Sequence, residues 1–209
     1  MYLPATIQHG FDAHSFPTEI DSLTGFGFHL DHGSGKVITK YTYGVAFLQL
    51  PFYLGGHVLA KLFGVDDGSF GIVDHSIVNV AASVYVVLGL YILFVLLSRR
   101  YGHGTSLSVV LGVYLGTNLF YYTVGDPGMS HAYSFSLFAC LLLILDRILQ
   151  GDHRIKYFLL LGTIGGLILL IRPTNLVFLI AAPLLFQEGL IAYGSLLKAQ
   201  HLLYLILPA

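Results

Sequence analysis

Long apolar runs are the feature that most constrains this chain. Such runs recur between Ile77 and Tyr193, and the cleanest one extends from Ile77 to Leu97. A helix of about 20 apolar residues crosses the roughly 30 Å hydrocarbon core of a bilayer. Only 10% of the 209 residues are charged, whereas a soluble domain carries about 25%. The sequence therefore predicts an all-α, polytopic membrane protein.

Five of these runs are predicted to span the membrane. They are residues 77–97, 107–124, 132–149, 157–171 and 176–193. The stretch 45–63 is also apolar, but Gln49 and Lys61 interrupt it, which fits a helix lying in the membrane interface better than a span. Residues 1–44 indicate a polar loop region with aromatic positions. We therefore predict an outer, periplasmic loop over 1–74 and a transmembrane helical region over 75–209.

Basic residues give the expected orientation of the spans. The pair Arg99 and Arg100, and later Arg147, Arg154 and Lys156, fall on one side if every run crosses. Lysine and arginine concentrate on the cytoplasmic side of membrane proteins. The loop at 125–131 and the corner at Arg172 then face outward, so we expect a multi-pass protein of the cell inner membrane whose active face is periplasmic.

Composition also excludes some kinds of partner and site. The net charge is -1, and no basic run is present, so no nucleic-acid partner is expected. The single cysteine, Cys140, lies in an apolar run and is expected to pack as a small hydrophobic side chain. No pair of histidines or cysteines has the spacing of a zinc site, so no metal site is predicted from the residues.

The loop between two apolar runs is the first candidate site. It reads Gly125-Asp126-Pro127-Gly128-Met129-Ser130-His131, and polar groups at the edge of a bilayer are costly unless they serve a site. Asp126 is a candidate catalytic carboxylate or cation ligand, and His131 is a candidate to pair with it or to stabilise an anion. The alternatives are an ordinary turn aspartate before proline and a polar residue at the interface.

Two basic residues are candidates for holding a lipid phosphate. Arg172 lies at the outward end of a span, where the guanidinium fork would bind a phosphate in bidentate fashion and Pro173 would break the helix. Lys40 precedes the proposed interfacial helix and would act as a point charge. The alternative for both is a basic side chain that extends into the headgroup region.

Three segments resemble one enzyme family. They are Lys40–Phe52 (KYTYGVAFLQLPF), Gly116–Phe135 with its DPGMSHAYSF end, and Ile171–Asn175 (IRPTN). Their order and spacing resemble dolichyl-phosphate-mannose-protein mannosyltransferase-like membrane glycosyltransferases, and the second segment is the most specific. The resemblance extends through most of residues 40–176.

The resemblance implies a fold and a reaction. The fold is a partial glycosyltransferase C-type helical bundle, and the reaction moves a sugar from a polyprenyl-phosphate-linked donor to an acceptor at the outer face. Lys40 and Arg172 would hold the lipid phosphate, and Asp126 would orient the acceptor with His131 beside it. Some relatives use a divalent metal, so the resemblance leaves that cofactor open.

One departure from the family bears on activity. The family's first span and its catalytic aspartate normally precede a stretch like Tyr2–Ala5, so we expect this chain to be a piece of a longer enzyme that is inactive alone. Two other functions stay open on the sequence. One is a non-catalytic membrane module that binds polyprenyl phosphate, and the other is a transporter or flippase of lipid-linked sugars.

Overall fold

The protein, described from a computed structural model, is mostly helical. The structure describes residues 2–25, 27–31, 33–39, 42–65 and 68–181. Its helices are α1 (Tyr2–Ile7), α2 (Ile20–Thr24), α3 (Gly44–Leu62), α4 (Ile72–Ser98), α5 (His103–Gly116), α6 (Leu119–Val124), α7 (Ser130–Leu149), α8 (Ile155–Ile171) and α9 (Leu176–Ala181). Two strands, β1 (His29–Asp31) and β2 (Lys36–Ile38), pair antiparallel with Leu30 opposite Val37. The predicted span 176–193 lies within the described residues only as far as Ala181.

Residues before α3 form an ordered unit, which we call the N-terminal module and which comprises α1, α2, β1 and β2. Its core is aromatic: Phe16, Phe28 and Phe70 are all buried, and their rings lie 5.8–6.5 Å apart. Phe70 comes from the segment just before α4, so this segment closes the module onto the bundle. The polar composition of this region predicted a loop, whereas its few large apolar residues are enough to order it locally.

Helices α4 and α7 run parallel through the middle of the bundle. The Tyr85 ring lies 5.3 Å from the Tyr133 ring, and Ser136 donates a hydrogen bond to the Tyr85 carbonyl. Further along, Arg99 reaches the Asp146 carboxylate at 2.9 Å. Both helices thus advance together, and α7 begins near the level of Tyr85. At 1.5 Å per residue, the first part of α4 extends about 15 Å beyond the start of α7.

Helix α3 runs antiparallel to this extending part of α4. Tyr85 donates a hydrogen bond to the Leu48 carbonyl at 3.0 Å, and His57 lies 2.9 Å from Asp74 at the far end. Helix α8 returns antiparallel to α7 and ends near its start. Only the first turns of α3 therefore lie beside α7 and α8, and the rest of α3 lies beyond them.

Three helices are long and apolar enough to cross a membrane, namely α3, α4 and α7. The predictions for 77–97, 132–149 and 157–171 correspond to α4, α7 and the shorter α8. The segment predicted as a span over 107–124 is not one continuous helix, because α5 ends at Gly116 and α6 starts at Leu119. The hydroxyl of Thr117 accepts a hydrogen bond from the Leu119 amide at 3.2 Å. Threonine in such a local turn competes with the helical hydrogen-bond pattern, and the preceding glycine has low helix propensity.

The end of the bundle at Arg99 is closed by a buried carboxylate. Asp146 is 2% exposed and accepts hydrogen bonds from Arg99 at 2.9 Å, Arg100 at 3.1 Å and Gln150 at 2.7 Å. This cluster confirms that the basic end of α4 and the end of α7 lie on the same side of the bundle, as their charges predict. We call it the Arg99 end, and the opposite side of α7 and α8 the Arg172 end.

Candidate functional site

The Arg172 end brings together segments that are far apart in the chain. The Thr42 hydroxyl donates to the Ile171 carbonyl at 2.6 Å, which attaches the start of α3 to the end of α8. A Cβ placed on Gly44 would lie 2.5 Å from the Ile171 nitrogen, so only glycine allows this approach. Asn175 donates to the Ser134 hydroxyl at 3.0 Å and joins the same corner to α7.

Arg172 lies where α8 stops. Its backbone is extended (φ -160°, ψ 115°), and Pro173 opens a short 3-10 helix over Pro173–Asn175. The side chain is exposed, and among the described residues no carboxylate forms an ion pair with it. A guanidinium that is exposed and lacks a carboxylate partner retains its donors for an external anion.

His131 lies in the first turn of α7. Its ring stacks on Tyr122 with the centroids 4.1 Å apart and an interplanar angle of 23°. The imidazole is within electrostatic range of both the Arg172 guanidinium and the Asp126 carboxylate. The structure thus brings together three of the residues that the sequence singles out, from the loop, from α7 and from the end of α8.

The loop that carries Asp126 is a compact turn. Met129 donates its amide hydrogen to the Asp126 carbonyl at 3.2 Å, and Gly125 donates to the Tyr121 carbonyl at 2.7 Å. The Tyr121 ring covers Gly125, where a Cβ would approach it to 2.8 Å. Asp126 itself is half-buried. The site therefore combines a carboxylate, an imidazole, an exposed guanidinium and the faces of two tyrosines.

One candidate residue, Lys40, lies outside the described residues, so its role stays a prediction.

The contacts of Tyr122 and Gln49 were not predicted from the sequence. Tyr122 lies near the end of an apolar run, a position typical of an interfacial aromatic belt, and Gln49 interrupts an apolar stretch. A buried glutamine within an apolar helix is a usable signal for a polar partner, but the sequence does not say which one.

A divalent metal was left open by the family resemblance. Within the described ranges, no group of three or more histidine, cysteine, aspartate or glutamate side chains is placed to hold a metal ion. Asp126 and His131 alone would give fewer protein ligands than a typical site. The described residues therefore do not fit a protein-held metal, and no step is derived through one.

Comparison with known proteins returns no relative. No family model, no curated protein and no solved structure matches the chain.

Proposed function

We propose that this protein binds a polyprenyl-phosphate-linked sugar at the Arg172 end and serves transfer of the sugar to an acceptor at the outer face of the cell inner membrane. The observation that carries the proposal is that His131 lies within electrostatic range of both Asp126 and Arg172 at one end of an apolar bundle. The loop residues and Arg172 were singled out from the sequence on separate grounds. A fold that gathers them at one corner favours a shared ligand.

The proposed membrane position follows from helix lengths. In this proposal α4, α7 and α8 cross the bilayer, and α5 with α6 carries the chain back across it between α4 and α7. The 20 residues of α7 match a hydrocarbon core of about 30 Å. The Arg172 corner then lies at the headgroup level, where a lipid phosphate resides. Because most of α3 lies beyond the ends of α7 and α8, the proposal places it on the outer side, packed along the extending part of α4 rather than flat in the interface plane.

The chemistry assigns one role to each side chain. Arg172 binds the phosphate and stabilises the charge that develops when the bond from the sugar C1 to the phosphate oxygen breaks. The acceptor hydroxyl forms the new bond at C1 and gives up its proton, while polyprenyl phosphate leaves. Asp126 orients that hydroxyl, and His131 lies between the carboxylate and the phosphate. The family resemblance implies that the family's catalytic aspartate, which normally precedes a stretch like Tyr2–Ala5, accepts this proton.

Charge placement separates this proposal from a transporter. A transporter is expected to carry charged groups near the middle of its membrane helices. In the described helices the charged residues lie at the ends, with Asp74 at the start of α4, Asp146 and Arg147 at the end of α7 and Lys156 at the start of α8. This distribution favours a site at the membrane surface.

A binding experiment tests the proposal. Farnesyl phosphate, as a short polyprenyl phosphate, is titrated into the purified 209-residue protein in detergent. Arg172→Met should weaken binding about tenfold or more, because a charge-assisted hydrogen bond contributes about 1.5–3 kcal/mol. The melting temperature of Arg172→Met should equal that of wild type, because the side chain that is replaced is exposed. Arg147→Met, which removes an exposed cation at the other end, is the matched control. Equal affinity in wild type and Arg172→Met would refute the phosphate site.

A second measurement separates an enzyme from a non-catalytic binding module. Turnover of a polyprenyl-phosphate mannose donor is compared in wild type and Asp126→Asn of the longer protein that the family resemblance implies. An enzyme loses turnover in Asp126→Asn while farnesyl phosphate still binds. A binding module shows no turnover in either protein and the same affinity in both.

A further inference from the structure

A buried hydrogen bond links α3 to α7 directly below the candidate site. The Gln49 amide donates to the Tyr133 hydroxyl at 2.7 Å, and both side chains are buried, with Tyr133 fully so. Burying two polar groups is costly unless they are paired. The pair therefore holds the two helices in one relative position.

The Tyr133 hydroxyl also reaches the loop that carries Asp126. It donates to the Pro127 carbonyl at 3.4 Å, which is a long and weak hydrogen bond. In the part of the chain that the structure describes, it is the one side-chain hydrogen bond from the bundle to residues 125–129. The other hydrogen bonds of this loop are between backbone groups within it and to α6. The position of the loop relative to the bundle thus depends on Tyr133.

Polar groups continue from Gln49 toward the N-terminal module. Gln49, Tyr53 and Asp74 line a small cavity of about 10 Å³, which is room for about one water molecule. Asp74 in turn accepts a hydrogen bond from the Phe70 amide at 2.7 Å. Gln49 therefore lies near the polar groups in the part of α3 and α4 that extends beyond the bundle.

We infer that Gln49 and Tyr133 are positioning residues that set the loop at 125–129 and with it the place of Asp126 at the Arg172 end. The loop placement stands on the contacts above, whereas its consequence for a ligand rests on the proposed function. Gln49 holds the tyrosine hydroxyl in place, and the hydroxyl holds the Pro127 carbonyl. Neither side chain touches the ligand in this assignment.

The opposing account is that Gln49 and Tyr133 merely satisfy each other in the interior. A double variant separates the two accounts. Tyr133→Phe alone removes the hydroxyl and leaves the Gln49 amide buried without its partner. Adding Gln49→Leu replaces both partners with apolar side chains of similar shape, which is nearly neutral for stability when nothing else depends on the pair.

Cysteine labelling of the loop distinguishes the two accounts. The labelling rate should not change if the pair only satisfies its own hydrogen bonds in the interior. Met129→Cys is introduced into the full chain with Cys140→Ala, and the rate of reaction with a water-soluble maleimide is measured in detergent. We expect the rate to rise about threefold in Tyr133→Phe and equally in the double variant, as loss of one modest hydrogen bond allows. The melting temperature should fall in the single variant and recover in the double.

Tyr85→Phe is the matched control. It removes the hydroxyl of a half-buried tyrosine, which donates a hydrogen bond to the Leu48 carbonyl and not to the loop. The labelling rate should therefore stay at the wild-type value. A wild-type rate in the double variant, or an equal rise in Tyr85→Phe, would overturn the inference. Farnesyl phosphate binding is measured in parallel on the same proteins without the added cysteine. If wild type binds none, the proposed function fails while the labelling result still decides the positioning role.

Discussion

The two ends of the bundle use arginine in opposite ways. At the Arg99 end, Arg99 and Arg100 both bind Asp146, and this carboxylate is almost fully buried. At the Arg172 end, Arg172 is exposed and has no carboxylate partner among the described residues. A guanidinium whose donors are used by an internal carboxylate stabilises the fold. One whose donors remain available at the corner of an apolar bundle is suited to an external anion.

The same contrast extends to the other polar groups. At the Arg99 end, Gln150 adds a third hydrogen bond to the same carboxylate. At the Arg172 end, the half-buried His131 interacts with Arg172 and with Asp126 only through space. The first end is therefore expected to respond to mutation in stability, and the second in ligand binding.

The largest expected effect is at the Arg99 end. Replacing both Arg99 and Arg100 with methionine leaves the Asp146 carboxylate buried without a cation. The loss of stability should be about 3 kcal/mol, since an unpaired buried charge is strongly destabilising. It is measured by thermal unfolding in detergent, with Arg147→Met as the exposed control. Asp146→Asn should cost less, because the partly exposed arginines turn to solvent. If the double methionine variant were as stable as wild type, the ion pairs at this end would not stabilise the fold.

A smaller effect is expected where α3 meets α8. Gly44→Ala places a methyl group against the backbone of Leu170 and Ile171, at 2.5–2.7 Å. Overpacking of this kind costs about 1–3 kcal/mol, and here it should also weaken farnesyl phosphate binding, because the corner next to Arg172 is forced apart. Gly55→Ala on the same helix meets nothing within 4 Å and should be neutral or slightly stabilising through helix propensity. Equal melting temperatures in the two variants would contradict the close approach.

The smallest effect is expected in the turn between α7 and α8. The neighbouring Arg154 guanidinium, which hydrogen-bonds the carboxylate, lowers the pKa of Asp152 to about 2 from an ordinary value of 3.8. A carboxylate with a depressed pKa contributes stability above the unfolded value and loses it as the pH falls toward the folded value. Asp152→Asn should thus be slightly less stable than wild type near neutral pH, with the difference vanishing between about pH 4 and pH 2. Because the pair is exposed, high salt should also reduce the difference. If the stability difference between wild type and Asp152→Asn persisted at pH 2, the ion pair of Asp152 and Arg154 could not be its source.

The apolar runs and their lengths located the main helices. They did not show how far each helix extends along its neighbours. The predictions for 77–97 and 132–149 found α4 and α7 because their apolar content is unbroken. The start of α4 at Ile72 was missed, since Asp74 and His75 look like loop residues until Asp74 is seen buried against Phe70 and His57. The break at Thr117 was missed for the opposite reason, because apolar residues continue across it.

The candidate site was partly predictable. Asp126, His131 and Arg172 were found because a charged or polar residue at the end of an apolar run is unusual and therefore visible. The stacking of Tyr122 on His131 and the bond from Gln49 to Tyr133 were not predictable. They join residues from different helices, and such pairs depend on how those helices pack.

By itself, the sequence determined that this chain forms apolar helices and where its polar residues interrupt them. Local composition settles both, because a run of apolar side chains favours burial whatever surrounds it. Only the tertiary structure decided which interruptions are paired and which are exposed. Asp146 and Arg172 look alike in the sequence, as charges at helix ends. One is enclosed because α4 and α7 run parallel and end together, and the other is exposed because α8 stops beside the start of α7.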